Sequence, residues 1–190
     1  MAEPYVIALA GGSASGKSTL VEALRDRLGE TLTVVSMDRY MRKDDPSGPS
    51  FFFSLTQSVT FDFNRPDSTD NAAIRRAIEA ATSPVVIVEG LMALAAPEIR
   101  DRADLRIFLE LDADVRAIRR MERDIRTGRG GGNPTTIAAY YVESARVGHR
   151  LFVEPSREYA HLILRGDRPV AELASLIQTL ISVRFRPAEI

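Results

Sequence analysis

Residues 11–18 combine three glycines, a lysine and a serine at the spacing of a phosphate-binding loop. They read Gly-Gly-Ser-Ala-Ser-Gly-Lys-Ser and fit the pattern G-x-x-x-x-G-K-[ST]. Glycines let backbone N–H groups turn toward a phosphate, the lysine reaches the terminal phosphates, and the serine hydroxyl holds Mg²⁺. The pattern therefore predicts a site for a nucleoside triphosphate and Mg²⁺, formed by Gly11, Ser13, Ala14, Ser15, Gly16, Lys17, Ser18 and Thr19.

The residues on both sides of this loop have the patterns that the motif requires. The apolar run Tyr5–Ala10 before it is typical of a buried strand, and residues 19–28 after it follow a helical pattern that Gly29 closes. A strand, a loop and a helix in this order are the structural setting of the motif. This setting disfavours the alternative, which is a glycine-rich turn without function.

Two acidic residues follow the next predicted strands. Asp38 comes just after the run Thr33–Ser36, and Glu89 comes directly after Val85–Val88. In open α/β sheets ligands sit beyond the carboxyl ends of the strands, so both carboxylates are expected beside the phosphate-binding loop. Mg²⁺ favours oxygen ligands, and we therefore predict a metal site at Ser18, Asp38 and Glu89. The alternatives are a helix cap or solvated acid for Asp38 and a structural hydrogen bond for Glu89.

Asp38 also bears on the kind of molecule that accepts a phosphoryl group. An alcohol is a poor nucleophile, and a carboxylate held against it can take its proton during transfer. A phosphate acceptor is already ionised and needs arginines instead of a base. An acid at this position therefore favours kinases that act on hydroxyl groups over nucleotide kinases.

The segment Asp114–Thr127 carries five arginines at helical spacing, and Arg129 follows in a glycine-rich loop. Arginines at this spacing repel one another unless an anion lies between them, and a transferring phosphoryl group would be such an anion. We expect these arginines to belong to a lid that closes over the phosphoryl group, and Arg123 and Arg129 are favoured for contacting it. The alternative is a solvated basic face. Val115, Ile118 and Ile125 are expected on the opposite, apolar side. The two histidines, His149 and His161, are expected to be structural.

Composition narrows the class of protein. The chain has 190 residues, of which 45% are hydrophobic, a formal net charge of −1 and no cysteine. Disulfides and thiolate metal sites are therefore excluded, and no basic field favours nucleic acid or an anionic membrane as a partner. The longest apolar run, Val85 to Ala96, is too short to span a bilayer, and the strand at Tyr5 leaves no room for a signal peptide. We expect a soluble cytoplasmic protein that binds a small-molecule acceptor and that can form a homo-oligomer.

Apolar runs of strand length alternate with helical patterns along the chain. The strands are predicted at Tyr5–Ala10, Thr33–Ser36, Val85–Val88, Arg106–Leu111 and His161–Leu164. The helices are predicted at Lys17–Leu28, Ser68–Thr82, Asp114–Thr127, Thr135–Phe152 and Val170–Arg184. Continuous rather than alternating apolar strands indicate burial on both faces, so we expect a parallel, doubly wound α/β sheet. We predict one domain over residues 1–190, with a mobile loop at about 41–64 and a lid at about 120–148 that includes the glycine-rich stretch 128–134.

Six motifs follow one another in the chain: residues 11–19, Met37-Asp38-Arg39-Tyr40, Asn64-Arg65-Pro66-Asp67, Val88-Glu89-Gly90-Leu91, residues 119–129, and Phe152 to Ala160. Together they resemble the uridine kinase branch of the uridine kinase/phosphoribulokinase family over nearly the whole chain, to about Gly166. The resemblance implies a three-layer P-loop kinase fold with a five-stranded parallel core. It also implies that Lys17 and Ser18 bind ATP·Mg²⁺, that Asp38 is the base, and that Glu89 assists the metal.

The resemblance assigns the remaining site residues as well. Arg123 and Arg129 would close over the phosphates, and the Arg165-Gly166 loop would lie near the adenine. The acceptor would be contacted from the positions Asp38, Tyr40, Asn64, Arg120, Arg129 and Tyr140.

Three departures from the family concern the acceptor. The family usually inserts a β-hairpin that grips the pyrimidine before the third strand, whereas here only Ser83-Pro84 separates the predicted helix from that strand. The acidic residue for the ribose hydroxyls falls at Asn64, and the lid glutamine aligns with Tyr140. Residues 51–53, three phenylalanines, either form an apolar wall beside the acceptor or pack on the sheet.

The sequence therefore predicts an ATP-dependent kinase that phosphorylates a primary hydroxyl group, with uridine or cytidine as the first acceptor. A nicotinamide riboside, pantothenate or sugar-like acceptor is the close alternative, since relatives without the hairpin act on such molecules. A different class would be an ATP-binding regulatory switch, and the presence of Lys17, Ser18, Asp38 and Glu89 together argues against it.

Overall fold

The computed structural model describes residues 3–185, in which strands and helices alternate as an α/β fold. The strands are β1 (Tyr5–Ala10), β2 (Leu32–Ser36), β3 (Ser50–Phe53), β4 (Ser58–Phe61), β5 (Val85–Glu89), β6 (Leu105–Glu110) and β7 (Leu162–Arg165). The helices are α1 (Lys17–Leu28), α2 (Asn71–Glu79), α3 (Pro97–Arg100), α4 (Ala113–Arg126), α5 (Pro134–Tyr140), α6 (Arg146–Gly148), α7 (Glu154–Ser156) and α8 (Val170–Arg184).

Five strands form one parallel sheet in the order β2-β5-β1-β6-β7. β1 lies at the centre, so the phosphate-binding loop that follows it leaves the sheet from its middle. Leu9 pairs with Glu89, and Ser36 pairs with the same glutamate from the other side. This register places the ends of β1, β2 and β5 side by side. The predicted α/β architecture, a five-stranded parallel sheet flanked by helices, is confirmed.

The sheet is covered on both faces because its central strands are apolar at successive positions. Val6, Ala8 and Ala10 of β1 point into one core cluster, and Ile7 and Leu9 point into the other. α1 and α8 cover the second of these faces, and their contact is fixed in part by Arg27, which donates to Ser175, Gln178 and the Ala171 carbonyl. The first face is covered by α2, α3 and the segment around Val153.

A β-hairpin occupies the middle of the segment that was predicted as a loop. Residues 50–53 and 58–61 pair as antiparallel β3 and β4, with Phe52 opposite Val59. Aromatic and β-branched residues favour strands, and Gln57 closes the turn with a φ of 50° and a side-chain bond to the Ser54 carbonyl. The prediction of a loop over 41–64 is therefore wrong for residues 50–53 and 58–61, because these short apolar runs pair with each other.

Two helices differ from their predicted bounds by more than one residue. α2 begins later than predicted, at Asn71, because Asp70 caps it by accepting the Ala73 N–H at 2.8 Å. The helix predicted at Thr135–Phe152 extends from 134 to 156 as α5, α6 and α7, which are joined by π-helical segments at Tyr141–Ala145 and His149–Val153. We call this stretch the helical run. Within residues 3–185, no helix is long and apolar enough to cross a membrane.

Candidate active site

A cavity of about 470 Å³ lies at the carboxyl end of the sheet, between the phosphate-binding loop and α4. Both predicted acids, three arginines of α4 and most of the loop share its surface. Its lining consists of Ser13, Ala14, Gly16, Lys17, Ser18, Thr19, Asp38, Glu89, Gly90, Leu91, Arg119, Glu122, Arg123 and Arg126. Segments that lie more than 100 positions apart in sequence therefore meet around one space. A larger hollow of about 860 Å³ lies at the opposite, amino-terminal end of the sheet and is lined mainly by charged side chains, none of them from the predicted site.

The phosphate-binding loop has a backbone that requires glycine at two positions. Gly11 has a φ of 146° and Gly16 a φ of 103°, and a Cβ on Gly11 would overlap the Leu109 carbonyl of β6. Gly16 is also the N-cap of α1, which begins at Lys17. The N–H groups of the first helical turn have no acceptor within the helix, and together with the positive end of the helix dipole they favour binding of an anion. The loop thus presents the donors that a phosphate group needs.

Lys17 is held inside the loop. Its amine donates to the Gly11 carbonyl at 2.8 Å and to the Gly12 carbonyl at 2.9 Å, and the residue is only 8% exposed. Burial lowers the pKa of Lys17 to about 8, although the nearby carboxylates of Glu89 and Asp38 oppose this shift. A lysine in this state gains most from a bound polyanion, because the anion compensates the cost of its buried charge.

Asp38 and Glu89 reach the cavity from neighbouring strands. Asp38 lies in the 3₁₀ turn Met37–Tyr40 that follows β2, and Glu89 is the last residue of β5. The Ser36 hydroxyl donates to Glu89 at 2.7 Å, which fixes the orientation of that carboxylate. No cluster of three or more acidic, histidine or cysteine side chains suited to a metal occurs in residues 3–185. Ser18 with these two carboxylates fits Mg²⁺ nonetheless, because that ion uses one or two carboxylates together with substrate phosphates and water.

The arginines of α4 fall into two groups. Arg119, Arg123 and Arg126 line the cavity, whereas Arg120 packs against the ring of Tyr140, with its guanidinium carbon 5.8 Å from the ring centre. Arg129, in the turn after α4, lies 3.9 Å from Asp124 and is 60% exposed in its side chain. The structure therefore brings Arg123 to the cavity and leaves Arg129 at its margin.

The apolar side of α4 does not pack on the protein. Ile118 is 62% exposed and Ile125 is 43% exposed, whereas the buried residues of the helix are Arg116 and Asp124. α4 therefore buries two charged residues and leaves two isoleucines exposed, which differs from an ordinary amphipathic helix. The physical reason is its position beside the phosphate-binding loop, where its charged side faces the polar cavity.

Arg116 has a different role from the other arginines. It is 6% exposed, its Nε donates to the Leu111 carbonyl at 2.9 Å, and a Cβ on Gly12 would overlap its guanidinium group. Arg116 therefore supports the phosphate-binding loop from behind. Sequence reasoning grouped it with the lid arginines, because helical spacing does not reveal which side of a helix meets the loop.

Gly166 lies directly against the phosphate-binding loop. Its N–H donates to the Glu110 carbonyl at 2.7 Å, and a Cβ here would overlap the Ser15 carbonyl. The Arg119 guanidinium approaches the Gly166 carbonyl at 3.5 Å. The loop after β7, α4 and the phosphate-binding loop thus meet at one edge of the cavity. The hydroxyl of Ser15 is fully buried there and has no hydrogen-bond partner.

Asn64 and Tyr140 lie together, away from the residues that line the cavity. Asn64 is 3% exposed, and its amide donates to Ser144 at 2.7 Å and to the Tyr140 hydroxyl at 3.3 Å. The Ser144 hydroxyl in turn donates to Asp62 at 2.8 Å. This network binds the hairpin segment to the helical run, so the donors of Asn64 are already used. Asp62 was not singled out from the sequence.

Two of the three phenylalanines contribute to the same contact between the hairpin and the helical run. Phe51 and Phe53 pack edge-on against Tyr140 with ring centres 5.6 and 6.1 Å away, whereas Phe52 is 56% exposed. The first two rings thus contact α5 and do not belong to either core cluster of the main sheet. The packing on the sheet that sequence reasoning allowed is therefore wrong. Tyr40 is half-buried and packs on the core cluster that contains Val6, Ala8 and Ala10 of β1.

The histidines take no part in the cavity lining. The Nε2 of His149 lies 3.1 Å from Glu154, and burial together with the nearby Arg116 charge lowers the pKa of this histidine. His161 lies against Arg106 at the edge of the sheet. Both placements agree with the structural role that was expected.

Comparison with known sequences identifies relatives over most of the chain. Residues 50–171 match the family described as Phosphoribulokinase / Uridine kinase, and residues 4–89 match Chloramphenicol phosphotransferase-like protein. The uridine kinase of Deinococcus deserti is 33% identical over 182 residues, which cover 85% of this chain and 87% of that protein. The uridine kinase of Chloroflexus aggregans is 29% identical over 212 residues, covering 93% of this chain and 98% of that protein.

Solved structures resemble the fold at lower identity. A shikimate kinase from Acinetobacter baumannii, in complex with shikimate, has a TM-score of 0.58 at 15% identity and covers 97% of this chain and 96% of its own. The protein TT1252 from Thermus thermophilus has a TM-score of 0.59 at 17% identity, with coverage of 98% and 100%. At these identities the likeness concerns the fold alone.

Proposed function

Because the chain belongs to the phosphoribulokinase/uridine kinase family and is thereby a P-loop kinase with an alcohol acceptor, we propose that it transfers the γ-phosphoryl group of ATP to a nucleoside. The acceptor atom is a primary hydroxyl, and uridine and cytidine are the first candidates. Mg²⁺ is the proposed metal. A cytoplasmic location and a homo-oligomeric state stay predictions from the sequence.

One observation carries this proposal. The phosphate-binding residues Lys17 and Ser18, the acids Asp38 and Glu89, and Arg123 of α4 line a single cavity. Phosphoryl transfer requires little more than these parts, because its catalysis consists of positioning and of stabilising charge on the phosphoryl oxygens. A protein that only bound ATP could use both acids as metal ligands, so the proposed role of Asp38 as a base is what separates a kinase from such a protein.

The phosphate side of the reaction rests on three groups. The backbone N–H groups of the loop and of the first turn of α1 bind the phosphates. The Lys17 ammonium, now held by the Gly11 and Gly12 carbonyls, lies next to them and compensates their charge. Arg123, whose guanidinium lies 3.5 Å from the Ser13 hydroxyl, is the proposed group on the transferring phosphoryl, with Arg129 closing behind it.

Asp38 is the proposed base. Its carboxylate takes the proton of the acceptor hydroxyl as the new oxygen–phosphorus bond forms, while the bond between the γ-phosphorus and the bridging oxygen breaks and ADP leaves. Ser18, Asp38 and Glu89 would hold Mg²⁺, and the ion when bound supplies positive charge to the phosphate oxygens. The hydrogen bond from Ser36, which restricts the orientation of the Glu89 carboxylate, supports this role.

A second candidate acceptor class is favoured by a specific feature. α2 ends at Glu79 and β5 begins at Val85, so no hairpin that could grip a pyrimidine separates them. The amide of Asn64 is also engaged within the protein. Nicotinamide riboside, pantothenate and sugar-like alcohols therefore stand beside uridine and cytidine as acceptors to test.

The experiment is a coupled assay of ADP release with ATP, Mg²⁺ and each of these alcohols, followed by mass spectrometry of the product. We expect one acceptor to be phosphorylated, and we expect Asp38→Asn to abolish turnover while ATP binding stays intact. Asp101→Asn, a change of the same chemistry on an exposed residue outside the cavity, serves as the control. ATP turnover that ignores every alcohol but rises with a protein partner would instead support a regulatory switch.

A further inference from the structure

Asp124 is the acid that α4 buries. Its side chain is only 6% exposed, although it sits in a helix whose other charged side chains mostly face solvent or the cavity. We propose that Asp124 is a positioning residue that holds Arg123 against the phosphate-binding loop, ready for the terminal phosphate of a bound nucleotide. This inference rests on the proposed function only in requiring that the cavity binds a nucleoside triphosphate.

The contacts of Asp124 are all with arginines. Arg123 lies 2.8 Å from its Oδ1 and donates to the same atom through Nε at 2.9 Å. Arg120 approaches Oδ2 at 3.3 Å, and Arg129 approaches Oδ1 at 3.9 Å. One carboxylate therefore gathers three guanidinium groups from α4 and from the turn after it.

This arrangement counters a repulsion that the helix itself creates. Arg120 and Arg123 are three positions apart on one face, and like charges at that spacing are unfavourable. A long arginine side chain also loses rotamer freedom when it is held in one geometry. The buried carboxylate offsets both effects, because its charge-assisted hydrogen bonds are stronger than those between neutral groups.

Arg120 and Arg123 differ in their surroundings and therefore in their proposed roles. Arg120 is the less exposed of the two, with 14% of its side chain accessible, and it lies between Asp124 and the ring of Tyr140 in the helical run. Arg123 is 31% exposed, lines the cavity, and has both terminal nitrogens 3.5 Å from the hydroxyl of Ser13. Arg120 therefore compensates the charge of the buried carboxylate, and the hydrogen bond between Arg123 and that carboxylate aims Arg123 at the phosphate-binding loop.

A donor that is aimed before the reaction needs no reorganisation when charge develops on the phosphoryl oxygens. Removing the carboxylate should leave Arg123 in place along the chain but free to adopt other rotamers. The affinity for ATP and the rate of phosphoryl transfer should then fall. The affinity for a nucleotide that lacks the terminal phosphate should change little.

The test compares Asp124→Asn, Arg123→Met and the double variant with the unchanged protein. Asp114→Asn is the matched control, since it makes the same chemical change in the exposed first turn of the same helix. Affinities for ADP and for a non-hydrolysable ATP analogue are measured by calorimetry with Mg²⁺. We expect Asp124→Asn to weaken the analogue about tenfold and ADP by less than about threefold, and to lower kcat with the best acceptor by about 10- to 100-fold.

The double variant decides whether Asp124 acts through Arg123. If it does, the double variant is no weaker toward the ATP analogue than Arg123→Met alone, because the two effects are not additive. Equal losses for ADP and the analogue, or additive losses in the double variant, overturn the proposal. Should Asp124→Asn fail to fold by circular dichroism, Asp124→Glu keeps the charge but displaces it, and unchanged selectivity between the two nucleotides in that variant overturns the proposal as well.

The same measurements separate this inference from the proposed function. A protein that binds the ATP analogue but phosphorylates no alcohol contradicts the proposed function, while the selectivity ratio still decides the role of Asp124. A protein that binds neither nucleotide refutes both.

Discussion

The lowered pKa of Lys17 makes nucleotide binding depend on pH in a specific range. Burial sets the pKa of Lys17 at about 8 in the free protein, against 10.5 for an unperturbed lysine. Bound triphosphate adds negative charge beside the amine and raises its pKa again, so binding must take up a proton wherever the free lysine is neutral. Affinity for ATP should therefore be constant below pH 8 and fall above it.

The size of the change in ATP affinity follows from the pKa of Lys17. With a pKa of about 8, Lys17 is protonated in roughly nine-tenths of the free molecules at pH 7 and in roughly one-tenth at pH 9. If only the protonated form binds, the apparent Kd for ATP rises about tenfold between these two pH values, which corresponds to about 1.4 kcal/mol.

Calorimetry in buffers of different ionisation enthalpy measures both parts of this prediction. At pH 9 we expect an uptake of about 0.9 proton per ATP bound, and at pH 7 an uptake near 0.1 from this residue. The variant Lys17→Met should bind ATP weakly and with no dependence on pH in this range. A Kd that stays constant from pH 7 to 9.5 in the unchanged protein, without proton uptake, would refute the assignment of the buried ammonium to the phosphates.

Three further predictions concern the frame around the cavity. Gly166→Ala places a methyl group against the Ser15 carbonyl, so the KM for ATP should rise by about tenfold while circular dichroism stays unchanged; an unaltered KM would contradict the close approach. Asn64→Ala removes the buried donor to Ser144 and should lower the free energy of unfolding in urea by about 1 to 3 kcal/mol; a loss below about 0.5 kcal/mol would show that the network does not hold the hairpin. The pKa of His149 is below its usual value in the folded protein, so the unfolded chain binds the proton first and the free energy of unfolding should fall as the pH drops below 6.5. In a His149→Gln variant the free energy of unfolding should depend less steeply on pH. An unchanged dependence would show that other groups cause it.

The lowered pKa of Lys17 also has a consequence for stability. Between pH 8 and 10.5 the unfolded chain holds a proton that the folded protein has released, so this residue makes stability rise with pH in that window. Below pH 8 the buried charge lowers the stability of the free protein by about 3 kcal/mol. Nucleotide binding offsets this cost. A functional site that lowers the stability of the free protein is common in enzymes.

Several parts of the fold could be predicted because the pattern that causes them is local. β1, α1 and α8 have the predicted bounds, since continuous apolar runs, a capping glycine and helical periodicity mark them directly. The hairpin at 50–61 was missed because its strands have four residues each, too few for a clear periodicity. The length of the helical run was underestimated, because π-helical turns carry no sequence signal that distinguishes them from an α-helix.

The amino-acid sequence alone determined the chemistry of the phosphate side, because the loop needs its glycines, Lys17 and Ser18 within eight consecutive positions. The tertiary structure decided which charged groups face the cavity and which polar groups already form hydrogen bonds within the protein. Arg123 meets Ser13 across 110 positions, and Asn64 meets Ser144 across 80, so no local pattern records either contact. The burial of Asp124 and the pKa of Lys17 arise in the same way, since both depend on atoms that only the packed chain brings together.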